Sequence, residues 1–570
     1  MHLTAIKRSL VVLTLSNAIL FPSLYVDISA QENNSANFEI THGIASGDVT
    51  DKSAIIWSRV NNQPAQMNIE YDNSTNLVNP LSKTAQANST TDFTAHVKLD
   101  GLEPDTQYYY RVWFTASDII NSNNSHSNND LPATSDSAEH IEVGTFRTAP
   151  SPTMTSNSSR AISFIWSGDL GGQSYCRNAD EGGYSIFESM QSLNPDFFIA
   201  NGDSIYADGV CPAQGPILNN DNGDDEDNTN GQNITWINIP GDFKSIADPS
   251  VDWNNVAEVR SIFMEHWKYN RNDTYFKEFL RNVPMYSQWD DHDVINDFGY
   301  EWPYWNLFNV SREGYPNIAK EGRNAFLYYS PLDSDDRNNA PTNDQDERLY
   351  RSFNWGEHLD LFLIDGRSYR SQNHLADSPD SNKTMLGDRQ LEWLKEELIN
   401  SKATWKIVSS NVPISIPRGT DASILGRDGW ANGNETDNYS YYTGFERELT
   451  DIFKLIDEQN IQNIVFITTD VHFPIFTKYN FDLNSDGNIT EIYELVSGPL
   501  SALRRGDPFP TLDETFNPSV LYRESNIFNF GYIRIEDVEY DDNDNKPHLL
   551  AEIRDENGIT RPGSLLDLTP

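Results

Sequence analysis

Alternating secondary structure is the feature of this sequence that most constrains its fold. After Pro150, short apolar runs typical of β-strands alternate with amphipathic patterns typical of helices. The predicted strands are Ile162–Trp166, Phe197–Ala200, Leu359–Ile364, Trp405–Val408 and Ile464–Ile467, and the predicted helices are Tyr184–Leu193, Val256–Tyr269, Asp388–Asn400 and Glu446–Glu458. This order predicts a layered α/β domain over residues 160–570, with the later β-like segments Gly531–Ile535 and His548–Ile553 at its edge. In such domains, ligands bind where strands end.

The region before Pro150 has a different pattern. From Phe38 onward, short segments alternate apolar and polar residues and are separated by polar turns, which predicts a β-sandwich over residues 38–150. The segment Leu102–Val112 resembles the tyrosine-corner strand of immunoglobulin-like and fibronectin type III domains. We therefore expect an immunoglobulin/fibronectin III-like sandwich that binds or spaces rather than catalyses.

The charge balance limits the partners of this chain. Its 570 residues include 41 Lys+Arg and 85 Asp+Glu, which gives a formal net charge of −44. Such a charge excludes nucleic acid as a partner held by electrostatics, because that affinity comes from basic residues that neutralise phosphates. An anionic substrate would need a local positive centre. The 37% of hydrophobic residues is enough for folded cores.

The N-terminus predicts export. Lys7 and Arg8 precede the apolar run Ser9–Val26, and the small residue Ala30 fits a cleavage site, so we interpret residues 1–30 as a signal peptide. The alternative is an uncleaved membrane anchor. No other run is long enough for a transmembrane span in the mature chain. The expected location is therefore secreted, periplasmic or cell-surface.

Two cysteines, Cys176 and Cys211, flank Asp203. In an exported chain an even pair favours a disulfide bond, which would stabilise the loops around Asp203. The alternative is that one thiolate binds a metal.

Polar donors follow each predicted strand. The residues are Asp169, Asp203 with Tyr206, Asp290 to Asp293 with His292 among them, Asn411, and Asp470 with His472. A single Asp or Asn after a strand is more often a turn or helix-capping residue than a ligand. Several carboxylates at one sheet edge would raise one another's pKa unless a cation neutralised them, so the whole set predicts a metal site.

The spacing of these donors gives more detail. Asp470 and His472 are two residues apart, so they would point to the same side if the strand continued through them, which suits two adjacent metals. Tyr206 lies three residues after Asp203 and could bind ferric iron as a phenolate. Acidic neighbours on both sides of His292 indicate a site histidine oriented by carboxylates rather than a surface or core histidine.

These motifs, in this order, resemble the calcineurin-like metallophosphoesterase superfamily. The resemblance rests on the segments Gly168–Gly172, Gly202–Tyr206, Trp289–Asp293 and Thr469–His472. More narrowly, the chain is similar to the PhoD-like alkaline phosphatase/phosphodiesterase family. Asp365–Ser371, Leu386–Leu394 and the preceding sandwich support this resemblance, which covers nearly all of the mature chain.

The resemblance implies a ligand set. Asp169, Asp203, Tyr206 and His472 would bind the first metal, with Asp203 bridging, and Asp291, Asp470 and Asn411 would complete the second. The family implies Fe³⁺ and Ca²⁺. Some members have a cysteine near position 169, whereas Asp is typical of purple acid phosphatases. Those enzymes have histidines about where Asn411 and Asp470 stand, so an all-oxygen second site here favours calcium.

The implied function is hydrolysis of phosphate monoesters, diesters or both by attack of a metal-bound hydroxide. His292 would stabilise the phosphoryl charge or protonate the leaving oxygen. The alternatives are a purple-acid-phosphatase-like enzyme and a non-catalytic calcium-dependent surface binding protein. The latter depends on Asp482–Asn488, which resembles the start of an EF-hand loop. Because Tyr493 stands where that loop needs a Glu, we interpret the segment as an acidic hairpin. The acidic run Asn219–Asn230 is interpreted as a solvated loop, or alternatively as a lid.

Overall fold

The computed structural model describes residues 37–117, 140–152, 160–218, 234–299, 314–333, 348–419, 426–433, 443–505, 509–536 and 547–570. Residues Phe38–Pro570 form one compact unit. The predicted signal peptide, the acidic run Asn219–Asn230 and most of the Asn- and Ser-rich stretch Ser117–Ser137 lie outside the described residues. Within the described part, no helix is long and apolar enough to cross a membrane.

Seven strands form the predicted N-terminal β-sandwich. They are β1 (Ile40–Gly47), β2 (Ser53–Val60), β3 (Ala65–Asp72), β4 (Leu81–Ala87), β5 (Thr94–Asp100), β6 (Gln107–Ala116) and β7 (Glu142–Arg147). One sheet has the order β1-β2-β5 and the other β4-β3-β6-β7. Buried residues alternate along β3 and β6, and the buried faces of the two sheets pack into one apolar core. The backbone N–H of Glu103 donates to the Tyr108 hydroxyl at 2.9 Å, as a tyrosine corner requires.

A second group of strands continues one sheet of the sandwich. Its members are β8 (Ile162–Ser167), β9 (Phe197–Ala200), β12 (Met285–Ser287), β20 (Asn529–Glu536), β21 (His548–Asp555) and β22 (Leu566–Leu568), while β10 (Gln214–Leu218) and β11 (Ile234–Ile237) form a separate two-stranded ribbon. The nine-stranded order is β22-β21-β20-β8-β9-β12-β1-β2-β5. Strands β8, β9 and β12 are parallel, and β1 joins β12 in parallel where Gly47 lies opposite Met285.

A seven-stranded mixed sheet faces this one. It contains β13 (Arg351–Trp355), β14 (Leu359–Leu363), β15 (Trp405–Ser409), β16 (Ile464–Thr468), β17 (Ile475–Phe481), β18 (Thr490–Val496) and β19 (Pro518–Arg523), in the order β13-β14-β15-β16-β18-β17-β19. Apolar residues from both sheets, such as Phe164 and Ile407, form the core between them. Strands β14, β15, β16 and β18 are parallel, so they end at the same edge.

Helices cover the outer faces. They are α1 (Ile186–Ser192), α2 (Val256–Arg271), α3 (Thr274–Asn282), α4 (Tyr315–Tyr329), α5 (Gly387–Asn400) and α6 (Glu446–Glu458). Buried residues of α1 to α4 pack against the nine-stranded sheet, and those of α5 and α6 pack against the seven-stranded sheet. The result is the predicted layered α/β architecture, with four layers in the order helix, sheet, sheet, helix.

The predicted strands and helices are confirmed within a few residues, and Asp482–Asn488 does connect the antiparallel strands β17 and β18 as a hairpin. The structure adds α3, α4 and the strands β13 and β19 of the second sheet, which were not predicted from the sequence. The boundary between residues 150 and 160 stays a prediction, and one sheet extends across it.

Candidate active site

The predicted donors lie in turns directly after β8, β9, β12 and β16. Four of them have positive φ angles: Asp169 (60°), Asp203 (48°), Asp470 (77°) and His472 (64°). This left-handed conformation is uncommon for non-glycine residues and is concentrated at functional sites. Strand β16 ends at Thr468, so Asp470 and His472 do not extend a strand. The common direction predicted from their two-residue spacing is therefore wrong.

The first group of candidate ligands consists of Asp169, Asp203 and His472. One ligand atom from each lies within 4.8 Å of the others. The Tyr206 hydroxyl is 3.0 Å from Nε2 of His472. Nδ1 of His472 lies 2.5 Å from the Leu503 carbonyl, so this nitrogen must be the donor. The lone pair of Nε2 therefore points into the group, as metal ligation requires.

Burial controls the protonation of this group. It raises the pKa of Asp169 to about 7, and the Asp470 charge adds to the effect. Burial, followed by the charges of Asp203 and Asp169, raises the pKa of Tyr206 well above its usual range. Burial also holds the pKa of His472 well below its usual range, so its imidazole is neutral. A bound cation would reverse the effect on the carboxyl and phenol groups, because it favours their anionic forms.

Asp203 connects the first group to a second. Asp203, Asp291 and His292 have ligand atoms within 4.8 Å of one another, and so do Asp290, Asp291 and Asp470. Burial raises the pKa of Asp203 well above its usual range, and the charge of Asp291 adds to the effect. Glycine makes this approach possible: a Cβ at Gly202 would lie 2.4 Å from Cβ of Asp290. Asp203 therefore has the central position expected of a bridging ligand.

Asn411 is buried at the end of β15. Its Nδ2 donates to the Trp289 carbonyl, and its Oδ1 accepts from the backbone N–H of Gly366 at 3.1 Å. Asn411 therefore contacts Trp289, the residue that precedes Asp290 and Asp291 in the chain. Its oxygen already has one partner, and ligation by Asn411 stays a prediction.

His292 is fixed by three contacts. Nδ1 lies 2.8 Å from Oδ1 of Asp208, the backbone N–H donates to Oδ1 of Asp203 at 3.2 Å, and the ring stacks on Tyr206 with centroids 4.3 Å apart. Burial lowers the pKa of His292, but the charges of Asp208, Asp291 and Asp203 outweigh it and raise the pKa well above its usual range. The surrounding carboxylates therefore favour the protonated form of the His292 imidazole.

Several residues of the site were not predicted. Nε of Arg367 donates to Oδ1 of Asp290 at 2.5 Å, and Nε of Arg418 donates to Oδ2 of Asp470 at 2.7 Å. Arg367 lies within the motif Asp365–Ser371. This motif supported the family resemblance, but it did not indicate that Arg367 contacts Asp290. Arg418 and Asp208 gave no signal, since their partners are far away in the sequence.

The chemistry of the donors fits metal ions. Four buried carboxylate oxygens have no hydrogen-bond partner among the described residues: Oδ1 of Asp169, Oδ2 of Asp203, Oδ2 of Asp290 and Oδ1 of Asp291. Buried acceptors without partners are rare and costly. Cations would satisfy them, and the remaining imidazole and phenol are also ordinary metal ligands.

The disulfide bond between Cys176 and Cys211 is confirmed, with Cα atoms 5.8 Å apart. Both sulfurs are in the bond, so the alternative of a metal-binding thiolate is wrong.

The layered fold brings a buried cluster of carboxylate and histidine side chains together at its strand ends. Residues 170–541 match the model of the PhoD-like phosphatase family, and residues 27–150 match that of the PhoD-like phosphatase N-terminal domain. The chain belongs to the PhoD-like phosphatase family and is a phosphoester hydrolase. This finding favours an enzyme over the non-catalytic binding protein considered from the sequence.

Individual relatives agree. Alkaline phosphatase D of Bacillus subtilis (strain 168) is 24% identical over 517 residues, which cover 86% of this chain and 74% of the relative. A solved structure of PhoD superposes with a TM-score of 0.64 at 18% identity and covers 94% of this chain and 93% of its own. Purple acid phosphatase PPD1 from yellow lupin (Lupinus luteus) seeds gives a TM-score of 0.51 at 13% identity, with 93% and 74% covered. The two structural matches support the fold alone.

Proposed function

We propose that the protein is a metal-dependent phosphoesterase that hydrolyses phosphate monoesters, diesters or both. The observation that carries the proposal is the set of four buried carboxylate oxygens without hydrogen-bond partners, on Asp169, Asp203, Asp290 and Asp291. Three of these residues belong to the ligand set that the sequence predicts. A cluster of this kind is stable as an ionised site only with a compensating cation.

The residues divide into two ligand sets around Asp203. Asp169, Tyr206 and His472 would hold one ion with Asp203, and Asp291, Asp470 and Asn411 would hold the other with it. The phenol favours ferric iron in the first position, and the all-oxygen second set favours calcium. When bound, the ions would act as Lewis acids toward phosphate oxygens and lower the pKa of a water molecule for in-line attack.

The protein's own groups supply orientation and protons. Asp208 holds Nδ1 of His292, so Nε2 is the nitrogen left to donate to a phosphoryl or leaving-group oxygen. Arg418 and Arg367 fix the carboxylates of Asp470 and Asp290 through charged hydrogen bonds. The stack of His292 on Tyr206 limits rotation of both rings.

Loss of the bridging carboxylate is the direct test. Asp203→Asn is expected to lower kcat for p-nitrophenyl phosphate at least about a hundredfold and to reduce bound metal. The matched control is Asp242→Asn, which makes the same change at an exposed acid and should leave both values unchanged. Full activity and metal content in Asp203→Asn, or unchanged turnover after exhaustive chelation of the wild type, would refute metal dependence.

We also infer export. The support is the basic and apolar pattern of residues 1–30 and the disulfide bond, which forms in oxidising compartments. Cell fractionation combined with N-terminal sequencing tests the inference. Cytoplasmic protein that still begins at Met1 would contradict it.

We further infer that the N-terminal sandwich is immunoglobulin/fibronectin III-like. The support is the Tyr108 corner bond at the start of β6 and the separation of β2 and β5 from β3, β6 and β7 into opposite sheets. In immunoglobulin-like domains, strands B and E share one sheet and C, F and G the other. An experimental structure with a different strand order would contradict the inference.

A further inference from the structure

Arg505 is held beside a candidate metal ligand by its backbone. Its N–H donates to the carbonyl oxygen of His472 at 3.1 Å, and its own carbonyl accepts from the N–H of Asn526 at 2.9 Å. Two residues earlier, the Leu503 carbonyl accepts from the His472 ring. The Arg505 backbone is therefore fixed to the cluster, whereas its side chain is exposed.

The other guanidinium groups around the cluster are occupied by carboxylates. Arg367 donates to Asp290 and Asp428, Arg370 donates to Asp428, and Arg418 donates to Asp470. Arg367 and Arg370 are buried. These groups therefore hold the protein's own acids in place.

Arg505 differs from them. Within the described part of the chain, its guanidinium makes no hydrogen bond or close ion pair, and its interactions are electrostatic ones at longer range. Its longer-range partners include Asp470, Tyr206 and Asp169. These three residues are candidate ligands of the two metals, so the guanidinium lies within electrostatic range of the site.

A positive group near the site can attract an anionic substrate despite the negative net charge of the chain. A phosphate monoester dianion approaching a chain of charge −44 is repelled at long range. A guanidinium with free N–H groups at the site can bind phosphate oxygens in a bidentate manner.

We propose that Arg505 binds a non-bridging oxygen of the substrate phosphate and thereby favours dianionic monoesters over monoanionic diesters. The proposal rests on the phosphoesterase activity and on the cluster as its site. It concerns substrate binding and does not depend on which metals are present.

The neighbouring residue provides a matched control. Nη1 of Arg504 donates to the Asn526 carbonyl at 3.1 Å, and its guanidinium stacks on Phe528 at 4.7 Å. Arg504→Gln therefore removes the same charge from the same segment, at a side chain directed to Phe528. The test compares Arg505→Gln, Arg505→Lys and Arg504→Gln.

The measurements are KM and kcat for p-nitrophenyl phosphate and bis(p-nitrophenyl) phosphate, and the inhibition constant of inorganic phosphate. In Arg505→Gln we expect KM for the monoester and the inhibition constant to rise about tenfold, as for loss of one charge-assisted hydrogen bond. We expect kcat to change less than about twofold and the diester KM to change less than the monoester KM. For Arg505→Lys, the monoester KM and the inhibition constant should lie between those of the wild type and Arg505→Gln, because the ammonium keeps the charge but not the planar guanidinium geometry.

The proposal is overturned if Arg505→Gln matches Arg504→Gln in KM and phosphate inhibition, or if both esters are affected equally. Thermal midpoint and metal content, compared between the two Gln variants, establish that the fold is intact. If Arg505→Gln does not fold, Arg505→Lys decides: an unchanged inhibition constant overturns the proposal and a rise of roughly threefold or more supports it. Failure of metal dependence would appear in chelation of the wild type and leaves these comparisons unaffected.

Discussion

The identities of the site residues could be predicted from the sequence, but their conformations could not. Asp169, Asp203, Asp470 and His472 follow apolar runs, and this position indicated a site at the strand ends. Their positive φ angles depend on the turns around them, which local sequence does not specify. For this reason the prediction that Asp470 and His472 point to the same side of a strand was wrong.

The charged partners of the site residues were also beyond prediction. Arg367 and Asp290 are 77 residues apart, and Arg418 and Asp470 are 52 apart. Only the tertiary fold brings these pairs together. Asp208 lies only five residues after Asp203, but its partner His292 is 84 residues away. The sequence near Asp208 does not indicate which basic residue it contacts.

Glu494, on β18, is a buried acid outside the candidate site. Its Oε1 accepts from the backbone N–H of Ile414 at 2.7 Å, and its Oε2 accepts from the Tyr479 hydroxyl at 2.6 Å. Burial raises its pKa to about 7, and the hydrogen bonds from Tyr479 and Ile414 partly oppose the rise.

The raised pKa predicts a pH-dependent stability. Between the unfolded pKa near 4.5 and the folded pKa of about 7, the folded state keeps a proton that the unfolded state has lost. The contribution of Glu494 to stability is therefore present below about pH 4.5 and is lost as pH rises through 7, a change of about 3 kcal/mol. Glu494→Gln should raise the thermal midpoint at about pH 8 and have little effect at about pH 5.

Thermal unfolding at both pH values checks this prediction. Glu396→Gln is the control, because Glu396 is exposed on α5 and its replacement should leave the pH dependence unchanged. Equal midpoint shifts for Glu494→Gln at both pH values would contradict the proposed proton uptake.

At the scale of elements, hydrophobic periodicity predicted most strands and helices because their buried faces are regular. The helix α3 was not predicted, although the sequence contains its start signal: the Asp273 side chain caps the helix by accepting from the N–H of Phe276 at 3.0 Å. The helix α4 likewise begins with a proline in its first turn.

The disulfide joins elements around the site. Cys176 and Cys211 are 35 residues apart, and the segment between them includes Asp203, Tyr206 and Asp208. Replacing both cysteines with serine should destabilise the fold by up to about 4 kcal/mol, because the bond restricts the unfolded chain.

Differential scanning calorimetry of the wild type, with and without dithiothreitol, measures this effect. The double serine variant should match the reduced wild type and show no response to reductant. A reduced wild type with an unchanged midpoint would show that the bond contributes nothing to stability.

At the scale of the whole molecule, the sequence predicted a β-sandwich followed by an α/β domain, and both are present. It did not predict that one sheet includes strands from both regions. The pairing of Gly47 with Met285 joins segments far apart in the chain, and no local pattern encodes it.

The close pairing of β1 with β12 predicts that a side chain at Gly47 strongly destabilises the fold. A Cβ there would lie 2.5 Å from the carbonyl oxygens of Met285 and Pro331. Gly47→Ala should therefore destabilise the protein by about 2 kcal/mol or more through overpacking. At Gly101, where φ is +71° and no atom lies within 4 Å of the added Cβ, alanine should cost about 1 kcal/mol from backbone strain alone. Chemical denaturation of both variants measures the difference, and equal effects would contradict a tight junction.

The shared sheet also limits how this architecture can change by recombination. A sandwich connected only by a flexible linker can be exchanged for an unrelated one, whereas β1 supplies the strand that pairs with the open side of β12. A replacement sandwich would need a first strand of matching direction and a residue without a side chain at the crossing point. The two regions are therefore expected to be inherited together rather than shuffled as separate modules.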